Sequence, residues 1–258
     1  MTSTPPVRLH HADHPGTAPA LLLVHGWGGD GDDWVPTLPH WRHRAIVPDL
    51  RGHGRSPKPA KGYGPHDFAA DLAELLGRLG PGPVVAVGHS MGGQAVTALA
   101  VEHPDLVRAL VVVDPAYGAD EAEAVRIPGE QRELRREGSE WAARFVEGAF
   151  VGGTHARLRD RQRALMAAMD PDVLTQCRDG MYLDPDAFGL RPATRAYLAR
   201  RTHPVLGVYS NALAADFERG TLTHPASRVE VFEGCGHFLH EERPRDFAGL
   251  VEGWLSDI

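Results

Sequence analysis

The chain has 258 residues, 42% of them hydrophobic and 24% charged, with a formal net charge of −7. This composition excludes a disordered or fibrous chain and allows one large α/β domain with a sizeable core. The acidic balance argues against nucleic-acid and anionic-membrane partners. The two cysteines, Cys177 and Cys235, lie too far apart in sequence to suggest a disulfide scaffold or a metal-type spacing.

Residues 1–19 lack a basic stretch followed by an apolar one, and the first apolar run, 20–24, is too short to span a bilayer. The expectation is therefore no signal peptide, no membrane segment and a cytoplasmic location. Short apolar runs then recur at 20–25, 44–49, 83–88, 108–114, 204–209 and 228–233. Several are apolar on successive residues, as expected of parallel strands buried on both faces. Helical patterns at 65–79, 90–103 and 244–255 lie between or after them. Strand–helix alternation predicts a mostly parallel central sheet flanked by helices. Residues 119–201 contain no convincing strand and are rich in Arg, Glu and Ala, with helical patterns near 130–150 and 155–169. The segment is too long for a loop and reads as a helical insertion over one end of the sheet. The division is thus a core of 1–118 and 202–258, with a helical cap at 119–201.

The densest chemical signal is Gly88-His89-Ser90-Met91-Gly92, between an apolar run and a helical pattern. A strained strand–turn–helix can lift a serine clear of the sheet, beside free N–H groups and within reach of a base. The base candidate is His237, in Gly234-Cys235-Gly236-His237-Phe238 ahead of the last helix. The nearby His240 reads as a solvated or loop-packing residue. Backbone N–H groups of Met91 and Trp27 are the oxyanion donors expected, the first at a helix N-terminus and the second in His25-Gly26-Trp27-Gly28-Gly29. The Trp27 indole can also form pocket wall.

Together these segments resemble the α/β-hydrolase fold enzymes that bear a cap: esterases, lactonases, haloperoxidase-like perhydrolases and C–C bond hydrolases. The resemblance rests on residues 25–29, 48–56, the elbow at Ser90, His103-Pro104, and Gly236-His237 followed by Glu242-Arg243-Pro244. It implies a Ser–His–acid hydrolase that needs neither cofactor nor metal and acts on a small-molecule substrate. In the commonest pattern of the family the acid follows the strand before the histidine. Here Asn211, Ala212 and Leu213 stand there, with Asp216 the nearest carboxylate. The family's other position, the end of the strand after the nucleophile helix, holds Asp114. Asp114 is therefore the preferred acid and Asp216 the alternative.

Three further patterns have plainer readings. Residues 26–31 match G-x-G-x-x-G, but Asp30, Asp32 and Asp33 would stand where a pyrophosphate must sit, which argues against a dinucleotide. The 15 histidines lack the spacing of a catalytic metal site. Arg51-Gly52-His53-Gly54-Arg55-Ser56 reads as a braced turn near the elbow. Trp34, Trp141, Phe145, Phe150 and Met166 are either pocket lining or core, with Trp27, Trp141 and Phe145 the chosen substrate contacts. The function expected is hydrolysis of a small to medium apolar ester or lactone through an acyl-enzyme. The alternatives are cofactor-free oxygenation on the same site, or ligand binding with little catalysis.

Overall fold

The computed structural model describes residues 4–258. Seven strands form one sheet: β1 (His11–His14), β2 (Thr17–Val24), β3 (His43–Pro48), β4 (Val84–His89), β5 (Val107–Val113), β6 (Val205–Tyr209) and β7 (Arg228–Val231). Their spatial order is β1-β3-β2-β4-β5-β6-β7. All neighbours are parallel except β1, which runs antiparallel to β3 at the edge. The six strands expected are present. β1 has no counterpart in the sequence reading, because His-Ala-Asp-His carries no apolar run. Its pairing comes from the neighbouring edge.

Period-2 alternation divides the buried strands between two cores. Leu22, Val24, Ala86, Leu110 and Val112 face α1 (Pro65–Leu79) and α2 (Met91–Glu102). Leu21, Leu23, Val85, Val87, Val111 and Val113 face Trp34 and, near the C-terminus, Phe247, Val251 and Trp254. α1 begins at Pro65, where a missing N–H costs nothing, and stops at Gly80 in a left-handed conformation (φ 58°). It turns Phe68, Leu72, Leu75 and Leu76 inward.

Between β5 and β6 lie five helices: α3 (Glu121–Glu137), α4 (Ser139–Phe145), α5 (Ala156–Ala168), α6 (Pro171–Tyr182) and α7 (Arg191–Leu198). They have their own apolar centre of Leu134, Trp141, Ala142, Val146, Met166 and Leu174, joined by Phe238. Then follow α8 (Ala212–Arg219), α9 (Leu239–Glu242) and α10 (Pro244–Leu255). α6 and α7 were not visible as separate periodic patterns. No helix among the described residues is long and apolar enough to cross a membrane.

A buried ion pair ties the loop after β3 to α1. Arg51 Nε and Nη2 donate to the two oxygens of Asp71 at 2.5 and 2.6 Å, and Nη1 donates to Gly62 O at 2.8 Å. Both side chains are fully buried. Removing one partner strands a charge in the interior, so Arg51→Ala is expected to cost about 3–5 kcal/mol. Urea denaturation checks this; a loss below about 1 kcal/mol would contradict it.

Candidate active site

β4 delivers the chain into a turn at Ser90, and α2 leaves it. Ser90 adopts φ 52°, ψ −117°, a conformation that L-residues rarely hold. Two neighbours hold it there. Ser90 N donates to Val113 O, and Ala116 N donates to Ser90 O, both at 2.9 Å. The flanking glycines are required by contact. A Cβ on Gly88 would fall 2.2 Å from Gly92 O, and one on Gly92 would fall 2.4 Å from Val24 O.

Asp114 follows β5 directly and also has positive φ (38°). Its N–H donates to Val208 O at 2.9 Å, which turns its carboxylate towards the end of β6. There Ser210 N donates to Oδ1 at 2.8 Å and Ser210 Oγ donates to Oδ2 at 2.5 Å. His237 Nδ1 meets the same Oδ2 at 3.3 Å. The other candidate acid, Asp216, sits on α8 with its side chain 68% exposed and paired with Arg219. The structure thus brings Asp114, and not Asp216, to His237. Ser210 was not singled out in the sequence; it stands immediately before Asn211, Ala212 and Leu213, where the usual acid was sought.

His237 is anchored from both sides. Its N–H donates to Ala149 O at 2.8 Å, and its carbonyl accepts from His89 Nε2 at 2.9 Å. Among the described residues no protein group hydrogen-bonds Ser90 Oγ or His237 Nε2. Ser90, Asp114 and His237 open onto one cavity of about 670 Å³. Met91 N is at the first turn of α2, and Trp27 N lies in the turn after β2. Neither has a backbone acceptor among the described residues.

Two of the three expected substrate contacts line this cavity. Trp27, Phe145 and Met166 line it. Trp141 does not: it is 7% exposed, stacks behind Phe145 at 4.7 Å, and donates its indole N–H to Glu133 at 2.9 Å. Helical spacing placed it on the same face as core residues, and core packing claimed it. Trp34 is fully buried under the sheet and Phe150 stacks on Phe238. The Trp27 indole donates to Leu174 O at 3.0 Å, so this side chain is fixed as wall. A second recess, of about 730 Å³ and lined by Asp32, Arg161, Cys235 and Glu241, contains none of the Ser90, His237 or Asp114 groups.

Buried histidines hold the loops around the site. Leu50 N donates to His25 Nε2 at 2.9 Å, so Nδ1 carries the proton and donates to Gly26 O at 2.8 Å. Gly28 N donates to His53 Nε2 at 3.2 Å, and His53 Nδ1 donates to Arg51 O at 2.9 Å. His53 therefore joins the loop after β3 to the Trp27 turn. Gly31 N donates to Asp49 at 2.8 Å, closing the glycine-rich segment onto a carboxylate instead of a phosphate. Burial opposes ionisation of Asp49, but hydrogen bonds from Arg55 and Gly31 outweigh it and keep the carboxyl below its usual range. His240 is fully buried against Trp34 and His89, each at 4.5 Å. It packs the loop and is not solvated.

Burial pushes His53 and His240 down to about 3, with neighbouring positive charge adding to it, and pushes His89 well below its ordinary value. The unfolded chain takes up these protons from about pH 6.5 downward while the folded protein does not. Stability from these groups is thus complete above pH 6.5 and lost as pH falls towards 3. Each costs about 1.4 kcal/mol per pH unit in that window. Urea midpoints measured from pH 7 to 4 are expected to fall steeply, and His240→Leu to reduce the slope by about one proton. An unchanged slope would contradict the neutral burial of His240.

The chain matches the alpha/beta hydrolase family over residues 21–250. It is 42% identical to Lipase LipV of Mycobacterium tuberculosis over 276 residues, covering 97% of this chain and 98% of the relative. Its fold is similar to a thermophilic esterase from Thermogutta terrifontis, with TM-score 0.81, 26% identity, and 96% and 93% of the two chains covered. It is also similar in fold to the enol-lactonase of Burkholderia xenovorans LB400, with TM-score 0.82, 20% identity and 96% of each chain covered. A seven-stranded, mostly parallel sheet with a serine elbow, together with a family match over most of its length, identifies this chain as a member of the alpha/beta hydrolase family.

Proposed function

We propose that the protein hydrolyses a small to medium carboxylic ester or lactone through an acyl-enzyme on Ser90. The observation that carries this reading is the His237 Nδ1–Asp114 Oδ2 contact of 3.3 Å beside a cavity that Ser90 also lines. The carboxylate fixes the tautomer, leaving Nε2 as the basic nitrogen. His237 then takes the Ser90 proton as Oγ attacks the carbonyl carbon. The N–H groups of Trp27 and Met91 receive the charge that develops on the oxygen. His237 passes its proton to the leaving alcohol, and later activates the water that releases the acid. No cofactor or metal is required. Residues 119–201 act as the cap and supply Phe145 and Met166 to the substrate wall. The 42% identical lipase and the esterase of similar fold support an ester as the substrate class.

A fluorophosphonate probe is expected to label the wild type and leave Ser90→Ala unlabelled. Ser90→Ala that retains full turnover, with uptake of oxygen, would replace hydrolysis by cofactor-free oxygenation. Unlabelled wild type that still binds ligands would favour a binding role.

Asp114→Asn is expected to fold and to lose about 10⁴-fold in kcat on the best ester found. Asp216→Asn is expected to match the wild type. Near-full activity in the first, with loss in the second, would reverse the assignment of the acid.

A further inference from the structure

Three arginines among the described residues are buried: Arg51, Arg178 and Arg201. Two have their donors well met. Arg51 binds both Asp71 oxygens and Gly62 O. Arg201 donates to Glu218, Tyr117 and Thr221. Arg178, on α6, makes one hydrogen bond, from Nη2 to Glu130. That carboxylate also receives Arg126, so one negative charge serves two guanidinium groups. Arg178 Nε is buried without an acceptor. A guanidinium has five N–H donors, and each one left unmet in the interior is costly.

Most of the remaining environment of Arg178 is aromatic. Its Cζ lies 4.9 Å from the Phe145 ring centre, 5.6 Å from Trp141 and 5.8 Å from Tyr182. Ring faces offset only part of the lost hydration of a cation. Burial draws the Arg178 guanidinium below its ordinary value despite Tyr182 and Glu130. Arg201 is also buried, yet Tyr117 and Glu218 outweigh that burial and raise it. Position separates the two as well. Arg178 lines the cavity shared by Ser90 and His237, and Arg51 and Arg201 do not. Asp120 and Glu123, which also line the cavity, are engaged elsewhere. Asp120 accepts from Glu123 N, and Glu123 accepts from Asp120 N, each at 3.0 Å, at the start of α3.

We propose that Arg178 binds a carboxylate of the substrate, so that the preferred ester or lactone is an anion whose carboxylate lies away from the reacting carbonyl. A planar carboxylate suits the fork of a guanidinium and supplies the acceptors that the protein does not. This names the substrate class for the hydrolysis proposed above and rests on that reading for turnover, though not for binding.

The test therefore has two arms. In the Ser90→Ala protein, titration calorimetry compares the monomethyl esters of glutaric, adipic and pimelic acids with methyl butanoate, pentanoate and hexanoate. At least one anionic ester is expected to bind tenfold or more tightly than its neutral counterpart. Arg178→Gln in the same background is expected to erase that preference. Glu130→Gln, which removes the competing carboxylate, is expected to increase it. In the protein with Ser90 intact, alkali titration of the released acid is expected to give the same order in kcat/KM. Equal binding of anionic and neutral esters at every length overturns the proposal, as does a preference that survives Arg178→Gln. Should Arg178→Gln fail to fold by circular dichroism, an anion preference that Glu130→Gln leaves unchanged overturns it. Ser90-dependent cleavage without anion preference refutes this inference alone. Arg178-dependent binding without cleavage of any ester refutes the hydrolase reading alone.

Discussion

The site depends on close backbone approach at the end of β4. Gly88, Gly92 and the carbonyls of Val24 and His25 leave no room for a Cβ, and that closeness forces Ser90 into a left-handed conformation. The strain is offset by hydrogen bonds that Ser90 exchanges with Val113 and Ala116. Those two residues bracket Asp114-Pro115. The same contacts that hold the serine therefore set the exit of β5, and with it the carboxylate that meets His237. Sheet order makes this possible, because β4, β5 and β6 are adjacent and parallel and their C-terminal ends share one edge.

The sheet was legible wherever a strand was buried on both faces, since successive apolar residues then write a continuous run. β1 was not, because an edge strand with polar side chains obtains its structure from β3. The elbow, the histidine and the position of Asp114 were legible because local chemistry constrains each of them. The residues that complete the site are different in kind. Ser210, His53 and His89 act through partners that are 96, 25 and 148 positions away. A serine just before the place normally held by an acid, and a histidine between two glycines in a braced loop, were the only signals available. Trp141 and Phe145 had equal claims at helical spacing. Packing in three dimensions decided between them, with one ring at the cavity and the other behind it.

The abundance of histidine has a structural explanation around the site. A neutral imidazole accepts at one nitrogen and donates at the other, so it can bridge an N–H of one loop and a C=O of another. His25 and His53 do this between the turn after β2 and the loop after β3. A lysine or carboxylate there would carry a charge into a fully buried position, at far greater cost. The glycine-rich turn that carries Trp27 is thus tied to the loop after β3 by protein groups alone.

The helical segment between β5 and β6 is joined to the same loops. Trp27 donates to Leu174 O, His237 donates to Ala149 O, and Gln162 donates to both Asp33 and Glu241. Arg161 adds an ion pair to Asp30 and another to Asp33. Burial and the nearby Asp33 charge hold the Glu241 carboxyl well above its usual value, so these two acids can lie side by side against one amide. Lifting the segment as a rigid body would break all of these contacts together and would pull directly on the loops that carry Trp27 and His237. The same segment contributes Phe145, Met166 and Arg178 to the cavity wall, and of these three only Arg178 carries a charge, with its Nε buried without an acceptor.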